Sequence, residues 1–294
     1  MFLVQSPKCS IVESFSVSKY GDLTGGGDRL ILGCRFRGVV DAATEKFGRT
    51  WVLSGQEMSG ERAIATVLGQ YLTDSAEPLW DVLKAVQREL QEAAVGSGID
   101  LTQPGASPLA SLVIFDSYTR TLYNLGDCSY GMVSPEGFRP VYNERRVDRL
   151  AAHRRAEVLA EHLEREGGVV AGDPGRAAIL ESLKEAAFLA NANPLQYSMH
   201  DTLYGAPKSD LVYPVFDVTS TPTLSLLSIT KGTTGLVLSS DGYPRIFPTL
   251  HESEAYLERS LAVDPLRIGE HPSTKGSAPG AVSYDDRTYL RLSL

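Results

Sequence analysis

Gly232-Thr233-Thr234-Gly235-Leu236-Val237-Leu238-Ser239-Ser240-Asp241-Gly242 drives an apolar run into a Ser-Asp-Gly turn. The run reads as a buried strand, and Asp241 sits where the strand ends, held at its tip and pointing out of the sheet. Two other segments share the design. Gly38-Val39-Val40-Asp41-Ala42-Ala43-Thr44 ends a strand in Asp41, and Tyr284-Asp285-Asp286-Arg287-Thr288-Tyr289-Leu290 places acids at the start of one. Carboxylates at strand ends thus recur far apart along the chain. If they converge, their mutual repulsion needs a cation to offset it, the logic of an all-oxygen site for magnesium or manganese.

Composition narrows the alternatives. The chain has 294 residues, 43% of them apolar, and a net charge of −8 from 28 basic and 36 acidic side chains. No lysine-rich tract is present, which argues against a nucleic-acid partner. Arg145, Arg146, Arg149, Arg154 and Arg155 alternate with Glu144, Asp148 and Glu157 and read as a solvated helix face. Cys9, Cys34 and Cys128 share no metal-site spacing, and their odd number points to a reducing compartment. The opening Met1–Lys8 turns polar too soon for a signal peptide, and no apolar run approaches the roughly 20 residues that span a bilayer. A cytoplasmic protein without a membrane partner is expected.

Residues 29–40 read as a strand pair or one bent strand. A packed helix is expected over 59–72, and Leu79, Val82, Leu83, Val86 and Leu90 mark an amphipathic one that Gly96-Ser97-Gly98 ends. Short strands follow at 109–115, 121–125 and 130–133, the last two separated by a Gly126-Asp127 corner. A charged helix is expected over 144–166, with Val147, Leu150, Val158 and Leu163 on one side, and a second over 176–190. Strands return at 212–218, 223–229 and 236–238. A helix at 251–261 and a Gly/Pro/Ser-rich loop precede a last strand over 288–294. Strands, then helices, then strands again predict an α+β layered fold in one domain over 1–294.

These segments together resemble the metal-dependent protein phosphatases of type 2C. Val39-Val40-Asp41-Ala42-Ala43-Thr44 looks like the family's Val-Val-Asp-Gly-Ala-Thr, and Gly105-Ala106-Ser107-Pro108-Leu109-Ala110 loosely matches its Gly-Ser-Thr-Ala. Leu125-Gly126-Asp127-Cys128-Ser129 resembles Val-Gly-Asp-Ser-Arg, Ser239-Ser240-Asp241-Gly242 resembles Ala-Ser-Asp-Gly, and Asp285-Asp286-Arg287-Thr288 resembles Asp-Asn-x-Thr. The order holds from about residue 28 to the C-terminus. The resemblance implies a four-layer sandwich of two central antiparallel β-sheets flanked by helices, with a metal cleft at one end. It implies that Asp41 bridges two Mg or Mn ions, that the Ala42 carbonyl binds one, and that Asp241 and Asp285 complete the ligands of the second ion. Asp127 would help hold a third, weaker ion. Asp286 is the alternative to Asp285, and Asp28 reads as a turn residue. The implied activity is hydrolysis of phosphoserine or phosphothreonine monoesters in a phosphorylated protein, by a metal-activated water and with catalysis resting on Asp41 and Asp241.

The chain also departs from the family. Leu23 stands where an Arg usually binds the substrate phosphate, Gly27 replaces a Glu, and Asn143-Glu144-Arg145-Arg146 carries no match to the general-acid His segment. Lys19 and Arg29 are the sequence's candidates for the missing cation. An inactive pseudophosphatase that binds a partner, and a relative acting on a small phosphorylated metabolite, are therefore the alternative readings. A nucleophilic Cys128 lacks a histidine motif, and Gly25-Gly26-Gly27 lacks the Lys-Ser/Thr ending of a phosphate loop. His153 and His162 read as helix-surface residues.

Overall fold

The computed structural model describes residues 9–23, 26–44, 46–103, 105–168 and 172–294. The opening Met1–Lys8 and Gly25 of the triple glycine lie outside these residues. The chain forms fourteen strands and five α-helices among them. One five-stranded antiparallel sheet has the order β1 (Ser10–Val17), β14 (Arg287–Ser293), β13 (Gly235–Ser239), β8 (Ser129–Ser134), β9 (Gly137–Val141). The other has the order β12 (Ser225–Ser228), β7 (Thr121–Leu125), β6 (Ala110–Asp116), β3 (Phe36–Ala42), β2 (Asp28–Leu32). Two hairpins, β4 (Thr50–Leu53) with β5 (Gln56–Ser59) and β10 (Thr202–Leu203) with β11 (Ala206–Pro207), stand apart.

Strand alternation builds the layers. Successive side chains of a strand point to opposite faces. Val39, Val113, Phe115 and Leu122 of the second sheet meet Leu236, Leu238, Leu290 and Leu292 of the first in one buried cluster, so the sheets pack face to face. Val40, Leu112 and Ile114 point the other way, into α1 (Gly60–Asp74) and α2 (Leu79–Gly96) through Ile64, Leu68, Leu83 and Val86. On the outer face of the first sheet, Val237 and Tyr289 pack with Leu257 of α5 (Leu250–Val263). The result is the expected α+β arrangement of helix, sheet, sheet and helix layers. The Ser59 hydroxyl caps α1, accepting from Arg62 N, and Thr249 caps α5 by accepting from Glu252 N.

The remaining helices, α3 (Arg146–Arg165) and α4 (Pro174–Ala187), pack together through Ala151, Ile179 and Leu183. Their inward face corrects the expectation for α3. The buried residues are Val147, Ala151, Ala152, Arg155 and Leu159, whereas Leu150, Val158 and Leu163 are only half-buried. Small alanines let the helices approach, so the large apolar residues do not mark the seam. Arg155 is fully buried, paired with Asp173 at 2.8 Å and donating to the carbonyls of Arg267 and Ser273. It ties α3 to the Gly/Pro/Ser-rich loop after α5, and it is not part of a solvated face.

The stretch 212–218 is also not a strand. It makes isolated bridges at Tyr213 and Phe216 only, because Pro214 lacks the donor that a continued ladder needs. Sequence reading passed over β1, β4, β5 and β9. In β1 and β9 most residues are exposed or half-buried, so neither displays a clean apolar alternation.

Candidate active site

In an antiparallel sheet, one strand's end lies beside the next strand's start. Asp41 at the end of β3 pairs across to Asp28 at the start of β2 and to Ser111 near the start of β6. Asp127 lies in the corner between β7 and β8. In the facing sheet, Ser239 ends β13 opposite Tyr289 of β14 and Ser129 of β8, so Asp241 and Asp285 project from the same end. Asp28, Asp41, Asp127, Asp241, Asp285 and Asp286 all line one cleft of about 850 Å³.

The turns are built for close approach. Gly126 has φ +84°, and a Cβ there would overlap Ser111 Oγ. A Cβ at Gly242 would overlap the Asp286 carbonyl, so Asp-Gly is required where the β13 tip meets the start of β14. Asp241 is held by its backbone: its N–H points to Asp41 Oδ2 at 3.4 Å, and its carbonyl accepts from Tyr284 Oη at 3.0 Å. Asp286 Oδ1 accepts from Lys19 N at 2.9 Å, and Oδ2 accepts from Gly27 N at 2.8 Å. Its two oxygens therefore tie Lys19 and Gly27 to the start of β14. Asp285 Oδ1 instead meets Lys275 Nζ at 2.5 Å.

Three carboxyls are pushed well above the usual range. Burial raises Asp28, reinforced by Asp286, Asp285 and Asp241 against a hydrogen bond from Ser240. Burial also raises Asp41, with the charges of Asp28, Asp127 and Asp285. Enclosure in the cleft and then Asp41, Asp285 and Asp127 raise Asp241, which Lys275 partly relieves. Solvent does reach the Asp241 side chain. For this residue like-charge repulsion is the cause that carries the direction.

The donor set at the cleft is one of oxygens, as a hard divalent cation prefers. Among the described residues, no three Asp, Glu, His or Cys side chains stand grouped around one ion position. Magnesium, however, keeps several waters and takes only one or two carboxylates directly. Asp28 Oδ2 is buried without a hydrogen-bond partner, and the three raised acids lack enough positive charge around them. Gly27 has no side chain to cover the Ala42 carbonyl, which an ideal Cβ there would meet at 3.0 Å. Oxygen donors, surplus negative charge and an open carbonyl fit Mg or Mn.

The structure places several site residues differently from what the sequence leads one to expect. Asp28 is no turn residue: it opens β2, is only 6% exposed and faces Asp41. Arg145 is not on a solvated face. Its guanidinium pairs with Asp127 at 2.6 Å and Asp148 at 2.5 Å and lies over the Tyr213 ring at 4.8 Å. Asp127 Oδ1 also accepts from Ser111 Oγ at 2.5 Å, so both of its oxygens are engaged. Lys46, Arg176 and Lys275 line the cleft as well. The Asp28 position is recoverable from strand pairing, but no local signal marks Lys275 in its loop. Of the sequence's candidates for a phosphate cation, Leu23 is 74% exposed, and Arg29 spends its Nη1 on the carbonyls of Gly26 and Asp28. Cys128 is fully buried, and burial followed by the neighbouring carboxylates raises its thiol well above normal, which disfavours a thiolate nucleophile. His153 is exposed on α3 at the cleft, and His271 there meets Tyr256 Oη at 2.7 Å. Among the described residues, no helix is long and apolar enough to cross a membrane.

No family model matches the chain, and no curated protein does. Solved structures similar to it include the serine/threonine phosphatase Stp1 from Staphylococcus aureus, at 13% identity and TM-score 0.47, covering 100% of this chain and 97% of that one. The serine/threonine phosphatase PstP/Ppp of Mycobacterium tuberculosis is similar at 16% identity and TM-score 0.42, covering 97% and 99%. The Ser-Thr phosphatase MsPP from Mycobacterium smegmatis, in complex with cacodylate, is similar at 13% identity and TM-score 0.45, covering 97% and 99%.

Proposed function

We propose that this cleft hydrolyses phosphoserine and phosphothreonine monoesters in proteins, using two Mg or Mn ions held by Asp41, the Ala42 carbonyl, Asp241 and Asp285. The observation that carries the reading is the meeting of Asp41, Asp241 and Asp285 at one end of a two-sheet sandwich, under enough repulsion to raise Asp41 and Asp241. Asp285 is favoured over Asp286 because Asp286 spends both oxygens on backbone N–H groups. When bound, the ions would lower the pKa of a water toward neutrality and offset charge on the phosphoryl oxygens.

The chain's own part is to hold these oxygens in place. Asp41 and Asp28 are fixed by strand pairing, and Asp241 by its N–H to Asp41 and its carbonyl to Tyr284. No side-chain nucleophile is required, and the raised Cys128 thiol supplies none. The third-ion role expected of Asp127 is not part of this proposal. Its oxygens face Ser111 and Arg145, and the guanidinium already balances its charge.

A second reading is an inactive binding module. It is favoured by Arg145 and Lys275, resident cations standing on Asp127 and Asp285. Hydrolysis of a generic aryl phosphate and of phosphoserine peptides, dependent on manganese and abolished by chelator, is the test. Metal binding without turnover on any substrate would favour the binding module, and full turnover in excess chelator would remove the metal reading.

A further inference from the structure

The cleft contains cations that its carboxylates do not consume. Arg145 is spent on Asp127 and Asp148, and Lys275 on Asp285. Lys46 lies five residues after Asp41 and also lines the cleft, where its Nζ donates to the Thr44 carbonyl at 3.2 Å. An ammonium has three donors. Among the described residues, Lys46 has no carboxylate within 4.0 Å. Arg176, at the start of α4, is in the same position: its Nη1 donates to the Thr274 carbonyl at 2.9 Å, and it forms no ion pair among the described residues.

The surroundings of Lys46 penalise its charge. Lys46 keeps part of its surface exposed, but enclosure by the cleft walls comes first; Asp148 acts against it and Arg145, Arg176 and Lys275 add like-charge repulsion, so its amine is held down at about 8. A half-buried ammonium with donors to spare, facing three other cations across the cleft, offers an anion a place where charge-assisted hydrogen bonds can form. Of the positions read from the sequence, Lys19 alone keeps a cation at this cleft. Leu23 carries no charge, Arg29 is turned onto backbone carbonyls, and Lys19 Nζ lies 5.7 Å from the centre of the Tyr20 ring.

We propose that Lys46, with Arg176 of the same cleft, seats the phosphoryl group of the substrate next to the carboxylate end of β3. This rests on reading the cleft as a phosphoryl-transfer site. An anion seated there would restore the charge of Lys46, and its own negative charge would be separated from the acids by the bound cations. Binding should weaken as pH rises through and above about 8, because the amine then loses its proton.

The test is calorimetric titration with inorganic phosphate at pH 7, in the presence of magnesium, on wild type, Lys46→Met, Lys46→Arg and Arg176→Met. Loss of a charge-assisted contact predicts about a tenfold or greater weakening in Lys46→Met, a smaller loss in Arg176→Met and near-wild-type affinity in Lys46→Arg. Lys46 is half-exposed and makes one hydrogen bond, so Lys46→Met should melt close to wild type. Should it fail to fold, Lys46→Gln serves in its place. In an active enzyme, KM for a phosphoserine peptide rises by the same factor with kcat nearly unchanged. Phosphate affinity within twofold of wild type in Lys46→Met, or no phosphate binding by wild type, overturns the proposal. Phosphate binding that needs Lys46 in a protein without turnover sustains it and instead removes the hydrolytic reading.

Discussion

Asp41→Asn should raise the melting temperature of the metal-free protein and lower that of the metal-loaded protein relative to wild type. Asp41 and Asp28 are directly opposed across β3 and β2. Opposed residues have Cβ atoms about 5 Å apart, and two unit charges at that distance repel by about 3 kcal/mol at an effective dielectric near 20. Each acid can relieve this by taking up a proton, so a net gain of about 1–2 kcal/mol at neutral pH is expected from removing one of them. At about 2–4 °C per kcal/mol for chains somewhat shorter than this one, the metal-free shift is a few degrees upward. The pH dependence has a definite sign. A carboxyl raised in the folded state contributes stability that is present at low pH and is lost as pH rises through its folded value. Metal-free wild type should therefore gain stability on mild acidification, and Asp41→Asn should gain less. With manganese at about 100 times its dissociation constant, wild type gains about 2.7 kcal/mol that the variant largely forgoes. The assay is a pair of melting curves, in chelator and in manganese, at pH 5.5 and 7.5. A variant that melts below wild type in chelator would refute the repulsion argument. Equal manganese stabilisation of both proteins would refute the ligand role of Asp41.

Asp241→Asn should lower turnover by at least about 10²-fold while the fold is retained, and zinc should replace manganese poorly because the proposed ligands are all oxygens; kinetics beside a melting curve check both. Asp127→Asn should leave the number of manganese ions counted by calorimetry unchanged, since Arg145 stands on that carboxylate; loss of one ion would restore Asp127 as a ligand. Arg155→Ala should destabilise the protein by about 3–5 kcal/mol, because it strands the partly buried Asp173 and two loop carbonyls. Chemical denaturation measures that loss, and a change under 1 kcal/mol would mean that the loop after α5 is held elsewhere.

How much could be read in advance differs between elements for physical reasons. The stretches 236–238 and 109–115 could be placed as strands because β13 and β6 are buried on both faces and are apolar nearly throughout, and 29–40 could be placed as a strand pair or one bent strand from its apolar residues between glycines. The period of Leu79, Val82, Leu83, Val86 and Leu90 identified α2 because one helical face alone meets the sheet. Where burial is partial, the signal fades: β1 and β9 carry mixed faces, and the seam of α3 is made by alanines and an arginine.

The acids at strand tips belong to the same legible class. Asp41, Asp127, Asp241 and Asp285 each follow or precede a run whose ends the sequence marks, and Gly126-Asp127 and Asp241-Gly242 add local turn chemistry. That they meet at one end of the sandwich is a consequence of antiparallel pairing, which joins residue 41 to 28 and 111 and residue 239 to 129 and 289. The balancing charges were not legible. Arg145 looked like its neighbours on a charged helix, Lys275 sits in a loop without periodic pattern, and Lys46 lies just past a strand. Which of them turns into the cleft is decided by non-local packing of α3, α4 and the loop after α5. A sequence displays where a chain must bury apolar surface and where it must turn. The counter-charges of a site are set by long, flexible side chains whose direction depends on what the rest of the fold places around them.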